Sequence, residues 1–160
     1  MNHTLPLFIA CGFAFSLSAQ AAQQTEQQCQ PSDDQQISAL FERWNDDLAS
    51  GDPKKVVENY AKESILLPTL SNTPRRTADE KQDYFVHFLA EKPSGTVNER
   101  MIQIDCNTAL DAGIYTFSFA DGHTVKARYT FTYKWYPDEQ HWLITSHHSS
   151  AMPEIVPMVD

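Results

Sequence analysis

The side chains best suited to chemistry gather near the end of the chain, in the run from His141 to Pro153, HWLITSHHSSAMP. His147, His148 and Ser149 stand side by side there. An imidazole can move a proton, hold a metal or fix a buried hydrogen bond. The spacing narrows the choice. Adjacent residues on a strand point to opposite faces, so His147 and His148 cannot chelate one metal together unless a bulge intervenes. No spaced His, Cys or carboxylate partners accompany them, and no metal or cofactor is expected. By parity His148 joins Trp142, Ile144 and Ser146, while His147 joins Leu143, Thr145 and Ser149. Whichever histidine is internal is either a hydrogen-bonded structural residue or a ligand contact lining a pocket. Ser149 and His148 diverge, and no Gly-x-Ser-x-Gly elbow surrounds them, so they do not form a nucleophile pair. Arg128 sits between apolar strand residues. It is either a solvated outer-face charge or an anchor for an anion in a pocket, where it would need a carboxylate or bound anion beside it. Tyr84 and His87, three apart on a helix with Asp83 alongside, share a face. They either rim a pocket mouth or form a plain helix flank.

These residues need elements to position them. Tyr129, Phe131, Tyr133 and Trp135 alternate with Arg128, Thr130, Thr132 and Lys134, the period of a strand with one apolar face. Pro137 to Gln140 reads as a turn, and His141 to Ser150 as the returning strand. Upstream, Ser32 and Gln35 read as a capping box. Ile37, Leu40, Phe41, Trp44 and Leu48 then form one helical stripe. Gly51 closes that helix, and Asp52-Pro53 starts a short second one with Val56, Val57 and Tyr60 on its buried side. Ser64 to Pro68 reads as a short strand. Thr77 and Glu80 cap a third helix carrying Tyr84, Phe85, Phe88 and Leu89. Ile102, Ile104 and Cys106 alternate in the next strand. Tyr115, Phe117 and Phe119 share a side of the following one, and Asp121-Gly122 signals a type I′ turn. Helices first and an antiparallel sheet last is the α+β pattern. A curved antiparallel sheet wrapped over three N-terminal helices would enclose a pocket. Met101, Tyr136 and Leu143 fall off the main apolar stripe, so the outer face is expected to be covered as well, as in a dimer.

Composition excludes whole classes of function. Lys plus Arg is 12 against 21 for Asp plus Glu, a net charge of -9, which repels phosphate backbones and anionic lipid. Neither nucleic acid nor a membrane surface is an expected partner of the mature chain. Residues 1–21 carry no Asp, Glu, Lys or Arg, and Leu5 to Leu17 is too short to span a bilayer. With Ala19 and Ala21 before the cut, residues 1–21 read as a signal peptide and the protein as periplasmic or secreted. Gln-rich residues 22–34 are expected to be disordered, 35–153 to form one domain, and 154–160 a tail. Cleavage would leave Cys29 and Cys106. A disulfide is expected between them, the alternative being two free thiols. Its loop would stabilise the fold by roughly 4 kcal/mol in the chain-entropy model.

Four stretches carry a family resemblance: LFERWNDDLASGDPKKVVENYAKESILLP, DYFVHFL, RYTFTYKW and HWLITSHHSSAMP. Over about Ile37 to Pro153 the chain resembles the association (hub) domain of calcium/calmodulin-dependent protein kinase II. It is similar above all to that domain's exported bacterial relatives in the nuclear transport factor 2-like superfamily. The resemblance implies a cone-shaped α+β fold, and homodimers that pack sheet to sheet or larger homo-oligomeric rings. It implies a pocket for a small-molecule ligand and no kinase activity, since no Gly-rich phosphate loop or catalytic-loop motif is present. The eukaryotic hub holds small carboxylates with pocket arginines. The arginine that follows its final-strand histidine falls at Ser149 here, a departure from that pattern. The superfamily also includes ketosteroid isomerases, polyketide cyclases and dehydratases, which pair a general base with an enolate-binding donor. On that alternative the base would be His147 or His148, the donor Tyr115 or Tyr84, and the substrate a small apolar carbonyl compound.

Overall fold

A computed structural model describes residues 28–153. The expected signal segment and C-terminal tail lie outside the described residues. Three helices, α1 (Asp34–Ala49), α2 (Pro53–Glu58) and α3 (Ala78–Ala90), pack into the hollow of a curved, open sheet. Its strands are β1 (Tyr60–Leu67), β2 (Ser94–Ile104), β3 (Thr108–Ser118), β4 (Thr124–Tyr136) and β5 (His141–Ala151), in the order β1-β5-β4-β3-β2. The sheet is mixed rather than wholly antiparallel: β1 runs parallel to β5. A parallel neighbour needs a long crossover, and the whole of the chain between β1 and β5 supplies it.

The helix signals translate closely into structure. The α1 stripe Ile37, Leu40, Phe41, Trp44 and Leu48 is buried. Its cap sits one residue later than expected, with Asp33 and Gln36 making the reciprocal box. Asp33 holds the β conformation a cap requires, and its carboxylate is a good acceptor there. Gly51 takes a left-handed φ of 70° after α1, Asp52 caps α2, and Thr77 with Glu80 caps α3. Tyr60 is not part of α2. It opens β1, pairing with Ile144 four residues before the expected strand start. At Asp121-Gly122 only Gly122 has a positive φ, so the turn is not type I′, which needs both.

The beginning of the described chain is held rather than free. Cys29 and Cys106 are bridged. The Gln30 N–H donates to Asn107 Oδ1 at 2.8 Å, and Asn107 Nδ2 donates to the Gln28 carbonyl at 3.1 Å. Inside, Arg43 knits α1 to β5, donating to Asn59 Oδ1 at 2.7 Å and to the Trp142 carbonyl at 3.0 Å. Lys81, 1% exposed, joins α3 to β1 through the Ser64 and Arg76 carbonyls. Trp44 fills the centre, edge-on to Phe85, Phe117 and Phe131. Truncating such a residue to alanine removes about 3–5 kcal/mol.

Two bulges bend the sheet. One lies between Val97 and Glu99 on β2, opposite Tyr115 and Ile114 and next to the Arg100–Gly113 pair. A Cβ at Gly113 would stand 1.8 Å from the Glu99 carbonyl oxygen, so only glycine allows this approach. The other makes Thr145 an extra residue on β5: Thr132 pairs with Ser146 and Tyr133 with Ile144. Bulges add twist and re-aim side chains. Trp142, Leu143 and Ile144 are buried in succession, so Leu143 does not contribute to an exposed outer face. Met101 does, at 53% exposure. We expect Gly113→Ala to destabilise the protein by about 2–3 kcal/mol through backbone overpacking. Urea unfolding measures this, and an unchanged midpoint would contradict the close approach.

Candidate functional site

The Thr145 bulge decides which histidine faces inward. His147 is 4% exposed and stacks on Phe131 at 3.9 Å between ring centroids. His148 is exposed on the outer face. The strict alternation of the sequence would put Ile144 with His148. The extra residue shifts the phase, so Trp142, Ile144, His147 and Ser149 are all buried.

His147 lines a cavity of about 230 Å³ between α3 and the sheet. Its walls are aromatic and aliphatic, chiefly Leu66, Phe85, Phe88, Phe117 and Phe119. Glu91, His123 and Leu70 also border it. The polar groups come in two sets. In one, the Tyr60 hydroxyl lies 2.9 Å from His147 Nδ1. The Trp44 indole N–H lies close enough to Tyr60 to oppose the rise in its pKa, yet closes no hydrogen bond. In the other, Ser149 and Thr69 hydrogen-bond through their hydroxyls beside the Tyr115 phenol.

Protonation follows from burial. Desolvation takes His147 from the ordinary 6.5 down to about 3, with His148 adding a smaller push. His147 is therefore a neutral imidazole at any physiological pH. Burial likewise drives the Tyr60 and Tyr115 phenols up, so both remain protonated. A protonated Tyr60 that donates to Nδ1 leaves the proton of the imidazole on Nε2. The opposite arrangement, with Nδ1–H donating to Tyr60, would strand the phenol proton and leave Nε2 a bare buried acceptor. His147 Nε2 is buried and has no partner among the described residues. This site can hold an oxygen acceptor. It cannot supply a strong base from His147, because Nδ1 is occupied and its conjugate acid is far too strong.

Of the residues singled out by sequence, Tyr84, Tyr115, His147 and Ser149 meet at this cavity. Burial raises the Tyr84 phenol to about 12. His87 lies instead in an adjoining shallow groove with Arg75 and Asp83, while Tyr84 borders both. Arg128 is exposed and donates to the Ala151 carbonyl at 3.3 Å, so it is the solvated outer-face charge and not an anchor in the cavity. His148 is likewise on the outside. Among the described residues no cluster of three or more His, Cys, Asp or Glu could hold a metal ion.

Sequence reasoning missed several groups. Tyr60, Trp44 and Thr69 were hidden by their assignment to helix or loop. Asp111 is a second omission. It is wholly buried, accepts from Tyr129 at 2.8 Å and from Arg100 Nε at 3.2 Å, and is raised by desolvation against the pull of those partners. Its parity with Tyr115 and Phe117 placed it on the inner face, a signal present in the sequence. The β2 bulge and Gly113 bring Arg100 onto it. Asp111 Oδ2, Arg100 Nη2 and Tyr133 Oη have no partners among the described residues.

Comparison with known proteins identifies the family and the fold. Residues 33–153 match the calcium/calmodulin dependent protein kinase II association domain family. A crystal structure described as a candidate association domain of that kind, from Xanthomonas campestris, is 43% identical. It aligns over 78% of this chain and 91% of its own, with a TM-score of 0.73. A candidate ketosteroid isomerase from Parabacteroides distasonis is 17% identical over 82% of this chain and all of its own, TM-score 0.62. A candidate dehydratase of the nuclear transport factor 2-like family from Streptomyces avermitilis is 14% identical over 74% and 95%, TM-score 0.63. The last two share the fold alone. No curated protein matches the chain.

The buried imidazole has a pH signature. The unfolded chain takes up a proton below pH 6.5 that the native state refuses until about pH 3. Native stability should therefore fall by about 1.4 kcal/mol for each pH unit in that window, and the effect vanishes above it. His147→Phe removes this slope. Urea unfolding of both proteins at about pH 7 and about pH 5 measures the difference, and parallel pH dependence would contradict a neutral His147.

Proposed function

The chain belongs to the calcium/calmodulin dependent protein kinase II association domain family, and from that premise we propose that it is an exported, self-associating, non-catalytic protein with a small-ligand pocket. The observation that carries self-association is a row across the outer sheet face. Register sets Met101 beside Ala112, Ala112 beside Thr130, Thr130 beside His148 and His148 beside Leu67. The row holds no carboxylate, lysine or arginine, in a chain whose net charge is -9. Small, uncharged residues on a sheet face suit close packing against a second copy. Ile114 and Leu110 extend it to either side, half-buried. The family's solved member from Xanthomonas campestris carries association in its description.

Export rests on the uncharged, apolar leader of residues 1–21 and on the Cys29–Cys106 bridge, which an oxidising compartment favours. No helix among the described residues is long and apolar enough to cross a membrane. The pocket reading rests on the cavity and its unpartnered Nε2. The absence of catalysis rests on His147, the residue an isomerase or dehydratase reading would use as base, being held neutral by burial with its Nδ1 occupied by Tyr60. An enzyme remains the second reading, supported by Glu91, the carboxylate that borders the cavity.

One sample tests these points together. Protein recovered from the periplasm of an expressing bacterium should show by intact mass a chain that starts at Ala22 with both cysteines bridged. Light scattering should give at least a dimer, and Thr130→Glu should give a monomer. The same sample in D2O should leave the α-protons of a small ketone unexchanged. A concentration-independent wild-type monomer would remove self-association, and an uncleaved leader would remove export. Exchange that Glu91→Gln abolishes would make the protein an enzyme.

A further inference from the structure

The cavity has a chemical polarity of its own. Its walls are apolar, and among its lining residues there is no lysine or arginine. The buried polar groups lining it are neutral: His147 as an imidazole, Tyr115 as a phenol and Trp44 as an indole, with Tyr60 behind His147. Glu91 places a carboxylate at the same cavity. A ligand carboxylate brought here would lose its water and meet no cation, which costs several kcal/mol. Among the described residues His147 Nε2 has no hydrogen-bond partner, and Trp44 Nε1, which lies near Tyr60, closes none. A buried donor left unpaired is itself unfavourable, so an occupant that offers an oxygen lone pair gains twice. An occupant with only hydrogen-bond donors gains nothing from either group.

From these residues we infer that the pocket selects an uncharged, largely apolar ligand that carries a carbonyl-type oxygen acceptor, which receives the His147 Nε2–H beside the Trp44 indole. This rests on the pocket reading proposed above. Size limits the ligand further. A cavity of about 150 Å³ with apolar walls admits benzene. At about 230 Å³ this one suits a single ring with a short substituent. Tyr60 acts as a positioning residue: its hydroxyl occupies Nδ1 and so fixes the proton on the nitrogen that meets the ligand.

Three probes of one size separate the possibilities: acetophenone, ethylbenzene and benzoate, titrated against the mature protein at neutral pH by ligand-detected NMR. Acetophenone should bind about tenfold tighter than ethylbenzene, the effect of one buried hydrogen bond. Benzoate should bind more weakly than either. In His147→Phe, circular dichroism checks the fold, and the ratio of acetophenone to ethylbenzene affinity should fall to about one. Equal affinity for acetophenone and ethylbenzene, or tightest binding of benzoate, would overturn this inference and leave the pocket reading in place. A variant that keeps the preference would overturn it too. If His147→Phe does not fold, the wild-type series decides alone. Failure of all three probes to bind would instead remove the pocket reading, and the inference with it.

Discussion

One hydrogen bond at the bottom of the cone, between the Tyr60 hydroxyl and His147 Nδ1, joins the first strand of the sheet to the last. Those strands are 87 residues apart at this point and run parallel, so no hairpin holds them together. The bond sits within the aromatic core, where Trp44 packs edge-on to the imidazole and Phe131 stacks upon it. Low polarity there strengthens a hydrogen bond and penalises any charge. Both effects point the same way: Tyr60 stays a phenol, His147 stays neutral, and the unused imidazole nitrogen keeps its proton. The cavity above inherits this arrangement as its polar floor.

Two bulges make that floor possible. Without the extra residue at Thr145, the alternation that buries Ile144 would turn His147 outward. Without the β2 bulge and the bare α-carbon of Gly113, Arg100 could not reach Asp111. The cone thus contains two buried polar clusters, built on the same principle. A strand departs from regular pairing, and a side chain that pleating alone would misplace is aimed inward. The clusters differ in charge. Arg100 and Asp111 neutralise one another, whereas Tyr60 and His147 carry no charge to neutralise.

The sequence made the elements legible because their signals are local. Helix stripes, the Thr77–Glu80 box and the Gly51-Asp52-Pro53 junction depend on residues a turn apart. The α1 cap slipped by one because Ser32-Gln35 and Asp33-Gln36 offer the same chemistry in neighbouring registers. The family resemblance supplied the cone. Less legible was whatever depends on pairing between distant strands. Tyr60 follows a helix directly, and nothing nearby marks the switch to a strand that β5 will accept. Parity along β5 fails at Thr145, a residue with no bulge signature of its own. The site residues followed suit: Tyr84, Tyr115, His147 and Ser149 reach the cavity, while His87, Arg128 and His148 do not. Asp111 was within reach of parity reasoning, since it alternates with Tyr115 and Phe117.

The neutral, Tyr60-locked imidazole is the claim on which the site depends. It is tested most directly by nitrogen-15 NMR of the histidine side chains during a pH titration from about 7 to about 4.5. His147 should show a protonated Nε2 and an unprotonated Nδ1 throughout, without titrating. A His147 that titrates within this range, or that carries its neutral proton on Nδ1, would contradict the account.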